Sequence, residues 1–337
     1  MQFPTAREGR ASSPEKPSFI YKGEIQLNKV FSLLNFKKSI TFLLLSSSII
    51  FIATNSNNAN AASIKKTNPN QKNASNILPK RIISLSPSAT EDLFAIGAGQ
   101  EVIAVDNYSN FPHNVPSVKL ESLNPNVEAI ASKHPDLVVI QSTASGAKNV
   151  IAALNALKIK SYEEITPSNL DGAYQELTDL GNLTGHIDEA NAAISYMKSR
   201  ISNIVAGVKL KKTLTFYHEL DNTGYSVTSQ TFIGQVYKSF GLQNIADAAA
   251  KADDGGYPQL QSEYVIKANP DLIFLADGNG VDGNESYRTL MKRPGFAQIS
   301  SLKNNHIVLL PADIPSRWGP RLVQFYSIIA RRLNTLN

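Results

Sequence analysis

The chain has 337 residues, 42% of them hydrophobic, and its 33 Lys or Arg against 28 Asp or Glu give a net charge of +5. That length accommodates two domains of ordinary size with a core each, and the composition is that of a globular protein. The charge lies at the amino end: residues 1–61 hold seven basic side chains against three acidic ones, which leaves 26 against 25 elsewhere and argues against a nucleic-acid partner. With no cysteine in the sequence, a disulfide framework, a thiolate metal site and a lipid-modified cysteine are also excluded.

Lys37 and Lys38 precede an apolar stretch of about 16 residues, 39–54, and Ala59-Asn60-Ala61 follows it. This is the layout of a cleavable signal peptide, and the stretch is shorter than the ~20 residues a transmembrane helix needs. Residues 1–61 are therefore predicted to be removed on export to the periplasm or another extracytoplasmic space. Residues 62–80, rich in Asn and Lys and poor in apolar side chains, read as a disordered linker.

Residues 81–85 read as a strand, followed by a loop that enters a helix ending at Ile96, with Ser88 or Thr90 as its N-cap and Gly97 and Gly99 as its stop. A second strand, 101–105, ends in the polar-aromatic loop 106–112. A third, 136–140, ends at Gln141-Ser142-Thr143. Residues 169–183 read as a helix, and apolar residues at Ala190, Ile194, Met197, Ile201, Ile204 and Val205 predict a helix of roughly 30 Å over 187–205. The remainder runs from Leu214 to an amphipathic helix over 321–333.

The sequence also repeats itself. VEAIASKHPDLVVI at 127–140 returns 135 positions later as SEYVIKANPDLIFL at 262–275, matching Glu128 with Glu263, Pro135 with Pro270 and Asp136 with Asp271. Each copy spells a short helix, a proline stop and a buried strand. A fainter echo links 86–97 with 229–241. The predicted fold is α/β: two Rossmann-like lobes with central parallel sheets, 81–185 and 209–337, joined by a single long connecting helix over 186–208, with a ligand cleft between them.

No nucleophile elbow is present, and Gly97-Ala98-Gly99 closes a helix where a dinucleotide loop would open one, so no catalytic residue is assigned. Of the five histidines, His218 with Glu219 and Asp221 is the best local metal cluster, with His113 and Asp313 as residues that converge on it if the lobes face each other. No metal spacing is recognised, and no metal or resident cofactor is assigned. Tyr108, Phe111, Tyr225, Phe232, Tyr257 and the single Trp318 fall near strand ends, where aromatics suit a large flat ligand. Arg317 and Arg321 flank Trp318 and supply guanidiniums for a carboxylate or phosphate.

From Arg81 to Leu333 the sequence resembles the class III periplasmic binding proteins of ABC importers, and within them the cobalamin-binding branch. The matching stretches are RIISLSPSATEDLFAIGA, VIAVDNYSNFP, NVEAIASKHPDLVVI, YPQLQSEYVIKANPDLIF and DIPSRWGPR. The resemblance implies a non-enzymatic, monomeric receptor that captures a corrinoid and delivers it to membrane permease subunits. It implies ligand contacts at Ser86, Pro87, Ser88, Tyr108, Tyr257, Asp313, Arg317 and Trp318, places Arg321 on the arginine after the family's proline, and implies transporter docking through Glu128 and Glu263. It departs at Ser122-Leu123, where the cobalamin binder has a stacking tryptophan, and at Trp318, where that protein has a small residue. Ferric siderophores and haem therefore stay open as the ligand, and a metal-dependent enzyme built on His218, Glu219 and Asp313 is the remote alternative.

Overall fold

The computed structural model describes residues 78–278 and 284–336. The predicted signal segment and residues 62–77 of the predicted linker lie outside the described residues. The end of that linker is ordered: Pro79 is buried, and the Lys80 N–H donates to Asp136.

The chain's apolar runs become two all-parallel sheets. Strands β1 (Ile82–Leu85), β2 (Val102–Asp106), β3 (Lys119–Leu120), β4 (Leu137–Gln141) and β5 (Lys160–Glu164) take the order β3-β2-β1-β4-β5. Strands β6 (Thr215–Glu219), β7 (Gln243–Asn244), β8 (Leu272–Gly278) and β9 (Ile307–Pro311) take the order β7-β6-β8-β9. Unbroken apolar strands imply burial on both faces, and alternation sorts their side chains. Ile82, Leu137 and Val139 point into one core, while Ile83, Leu85, Val138 and Ile140 point into another. In the second sheet Phe216, Leu272 and Phe274 turn toward the first of these cores, and Tyr217, Ile273 and Leu275 turn away from it. One apolar body thus continues from sheet to sheet, with a private core on each outer face. Each large side chain fully buried there contributes about 1.5–3 kcal/mol.

The repeated sentence builds the same structure twice. Val127–Ala131 and Ser262–Ala268 are helices, His134 and Asn269 turn left-handed at φ 48° and 47° before Pro135 and Pro270, and β4 and β8 follow. The aspartates at the strand starts do matched work. Asp136 accepts the Lys80 and Arg81 N–H groups at 2.8 and 2.9 Å, and Asp271 accepts the Thr215 N–H and hydroxyl at 2.9 and 3.0 Å. Asp136 pins the two residues that lead into β1, and Asp271 pins β6 at its first residue.

Between the sheets the chain runs through two helices, Leu170–Thr184 and Ile187–Ala206, joined by Gly185 at φ 81° and His186. The predicted connector is thus half of a helical pair. A Cβ added at Gly181 would stand 2.6 Å from the Ala190 Cβ, so the two backbones pack closely. Leu322–Asn334 lies against Ile187–Ala206 and sends Leu322, Phe325, Ile329 and Leu333 into the shared core. Ser86, rather than Ser88 or Thr90, caps the first helix, Pro87–Ala95: its side chain accepts the Ala89 N–H, and Pro87 takes the first helical position.

Candidate functional site

Open parallel sheets bind ligands beyond the carboxyl ends of their strands, and a cavity of about 530 Å³ opens there. This is within the ~300–1,000 Å³ of small-molecule sites. After β1 it is lined by Ser86, Pro87 and Ser88; after β2 by Asn107, Tyr108 and Asn110; and after β4 by Gln141, with Leu123 close by. The second lobe contributes the segment after β9: Ala312, Asp313, Ser316, Arg317 and Trp318. Seven of the eight predicted ligand residues therefore meet around one space.

Tyr257 is the exception. It sits on a short antiparallel contact in which Thr228 bonds to Gly256 and Ser226 to Pro258, it is partly exposed, and it does not line this cavity. Phe111 and Phe232 support the wall from behind: the Arg321 guanidinium stacks on Phe111 at 4.3 Å, and Phe232 meets Trp318 edge-on. Tyr225 is exposed and outside the lining.

The floor is ionic and buried. Glu91, on the Pro87–Ala95 helix and 2% exposed, accepts Arg321 through both oxygens and Arg317 at 3.3 Å. Arg321 also donates to Asp313 at 2.7 Å, and Arg317 to the Tyr108 carbonyl at 3.0 Å. Burial raises the Glu91 carboxyl above its ordinary range, and its two guanidinium partners pull it back. For Asp313 burial also works upward, but Arg321 prevails and holds it below that range.

Three further buried carboxyls, separated in sequence and without any shared spacing, crowd beside this floor. Asp92 finds no hydrogen-bond partner on either oxygen among the described residues, Glu164 and Glu176 face each other, and Glu176 accepts the Trp318 indole N–H. Burial, reinforced by neighbouring acids, pushes Asp92 and Glu176 well up, and burial brings Glu164 to about 7. A Cβ on Gly319 would lie 2.7 Å from Asp92, so the Arg317–Arg321 segment rests directly on these acids.

The remote metal cluster is not assembled. Adjacent strand residues face opposite ways: His218 turns to Tyr237, 2.8 Å from its hydroxyl, whereas Glu219 turns to Tyr217 and to Arg293. Burial lowers His218 to about 3, leaving it neutral. Asp313 is engaged by Arg321, and among the described residues no three His, Asp or Glu side chains are grouped to hold a metal.

Glu128 and Glu263 stand in the first turns of their matched helices, both exposed and without an ion-pair partner among the described residues. Neither lines the cavity, though the helix bearing Glu128 begins four residues after Leu123, which does.

Known proteins share this architecture. A vitamin B12-binding protein of Vibrio vulnificus is 29% identical over 254 residues, covering 72% of this chain and 85% of that protein. An uncharacterized ABC transporter substrate-binding lipoprotein of Bacillus subtilis is 28% identical over 253 residues, 73% of this chain and 77% of its own. The structure of a possible iron-binding periplasmic solute-binding protein from Staphylococcus epidermidis superposes with a TM-score of 0.66 at 25% identity, covering 75% of this chain and 98% of that one. The sequence profile described as periplasmic binding protein matches residues 82–314, and the chain belongs to that family.

Proposed function

We propose that this chain is the extracytoplasmic substrate-binding protein of an ABC importer, exported by a cleaved signal peptide, which captures a corrinoid in the cleft and presents it to the membrane permease without chemical change. One observation carries the choice of ligand: the cleft lining is electrically quiet. Its two ionic side chains are both engaged within the wall, Asp313 by Arg321 and Arg317 by Glu91. What remains is hydroxyls, the carboxamides of Asn107, Asn110 and Gln141, and the flat or apolar surfaces of Tyr108, Leu123 and Trp318. A corrinoid is a flat macrocycle fringed with carboxamides, which pair with hydroxyls and carboxamides without any need for a counter-ion. The vitamin B12-binding relative supports this reading.

The iron-binding neighbour motivates the second reading, a ferric chelate or haem. Haem carries carboxylates and ferric catecholates are anionic, and cleft-facing guanidiniums are what would hold them. Isothermal titration of the purified protein with cyanocobalamin, a ferric hydroxamate and haemin decides between the two. We expect one-to-one binding of cyanocobalamin; heat only with an iron compound would keep the carrier role and move its cargo.

A further inference from the structure

Arg317 lines the cavity yet is only 7% exposed, and among the described residues its sole ion-pair partner is Glu91. Arg321, four residues on, gives two of its donors to the same carboxylate and shares one of them with Asp313. Glu91 itself does not touch the cavity. It lies behind the floor, one turn along the helix that begins with the lining residues Pro87 and Ser88. Buried acids are abundant here, but they do not substitute for it. Asp92, Glu164 and Glu176 make no ion pair with either guanidinium. The two guanidiniums thus find their ion-pair partners in Glu91 and Asp313, and Glu91 is the one that holds both.

We propose that Glu91 is the residue that sets the charge class of ligand the cleft accepts: by occupying Arg317 and Arg321 it masks a potential anion site, and without its carboxylate the same floor would select anionic macrocycles. This rests on the corrinoid reading only for the identity of the favoured neutral ligand. Glu91 is a positioning residue, acting through Arg317 and not by contact.

The single tryptophan, at the cleft, provides the readout, because macrocycles that absorb its emission quench it. Wild type, Glu91→Gln, Arg317→Gln and the double variant would be titrated with cyanocobalamin, haemin and haemin dimethyl ester. The last two share a ring and differ in two carboxylates. Glu91→Gln is expected to raise the preference for haemin over its ester by roughly ten- to hundredfold, the worth of one charge-assisted hydrogen bond, and the double variant is expected to return it to the wild-type value. An unchanged ratio, or no haemin binding by a Glu91→Gln protein that still melts cooperatively, overturns the proposal. If Glu91→Gln does not fold, Arg317→Gln alone decides: a masked guanidinium predicts an unchanged ratio, and a fall in haemin preference shows that it was never masked. Wild type that ignores cyanocobalamin but binds haemin would defeat the corrinoid reading while leaving the Glu91 comparison intact.

Discussion

The two lobes share a blueprint and divide the labour differently. β1 and β6, β4 and β8, and Asp136 and Asp271 occupy matched places in their sheets. The first lobe brings the ends of three strands to the cavity, whereas the second brings the one segment that follows β9. That segment also carries Arg317 and Arg321, whose carboxylate partner Glu91 belongs to the first lobe. Duplication thus accounts for the scaffold, and the site lies where the copies cease to match.

The largest expected effect tests the matched glutamates. Charge reversal at both Glu128 and Glu263 should abolish uptake of radiolabelled cobalamin into cells while leaving cyanocobalamin affinity unchanged, because neither residue lines the cavity. Normal uptake by that double variant would remove their docking role. Next, Glu91→Ala should cost about 3–5 kcal/mol in urea unfolding, since it strands two buried guanidiniums. No comparable loss is expected for Glu128→Ala, where nothing buried depends on the side chain.

The carboxyl group beside the floor makes stability depend on pH in an unusual direction. Glu164 is raised in the folded state to about 7 from an unfolded value near 4.5, and Asp92 and Glu176 move the same way. Below pH 4.5 both states hold the Glu164 proton. As pH climbs from 4.5 toward 7, the unfolded chain releases it first, so stability falls, by on the order of 3 kcal/mol for Glu164. Asp271 and Asp313 are shifted downward, and they oppose this only below about pH 4, where their contribution is lost. The protein should melt higher at pH 5 than at pH 8, and Glu164→Gln should flatten the difference. A melting temperature that rises over that interval would show the acids to be ionised in the folded protein.

Smaller effects sharpen the lobe comparison itself. Asp136→Ala and Asp271→Ala should each cost about 1–2 kcal/mol by calorimetry, each removing two hydrogen bonds at a strand start, the second also releasing the exposed Lys212. Unequal losses would locate divergence within the scaffold. Tyr108→Ala should weaken cyanocobalamin binding by about tenfold, the scale of one aromatic contact, and Tyr257→Ala by much less. A larger loss at Tyr257 would extend the site beyond the present cavity.

The sequence displayed what is local. Helix, proline stop and strand were legible twice, and the loops at 86–88, 106–112 and 313–318 could be placed at strand ends from the apolar runs before them. The cap is Ser86 because Pro87 starts the helix two residues earlier than a Ser88 cap implies and four earlier than a Thr90 cap implies. The second connecting helix was legible as a helix, but its close approach to the first rests on Gly181 meeting Ala190, which no periodicity reports. In the sequence Glu91 stands as one polar residue among several at the entrance of a helix. Its partners lie 226 and 230 positions downstream, and pairing at that range leaves no spacing signal. Asn107, Asn110 and Gln141 were passed over for a different reason: a carboxamide in a strand-end loop looks the same whether it faces solvent or a guest.

The apolar body that runs unbroken from one sheet to the other bears on traffic at the membrane. If the chain carries cargo to a permease as proposed, lobes fastened to the same interior are expected to resist clapping shut on a guest, and a laden carrier and a vacant one would show the membrane partner nearly the same outline. Vacant copies would then queue for the same berth, and uptake would slow when carrier outnumbers cargo.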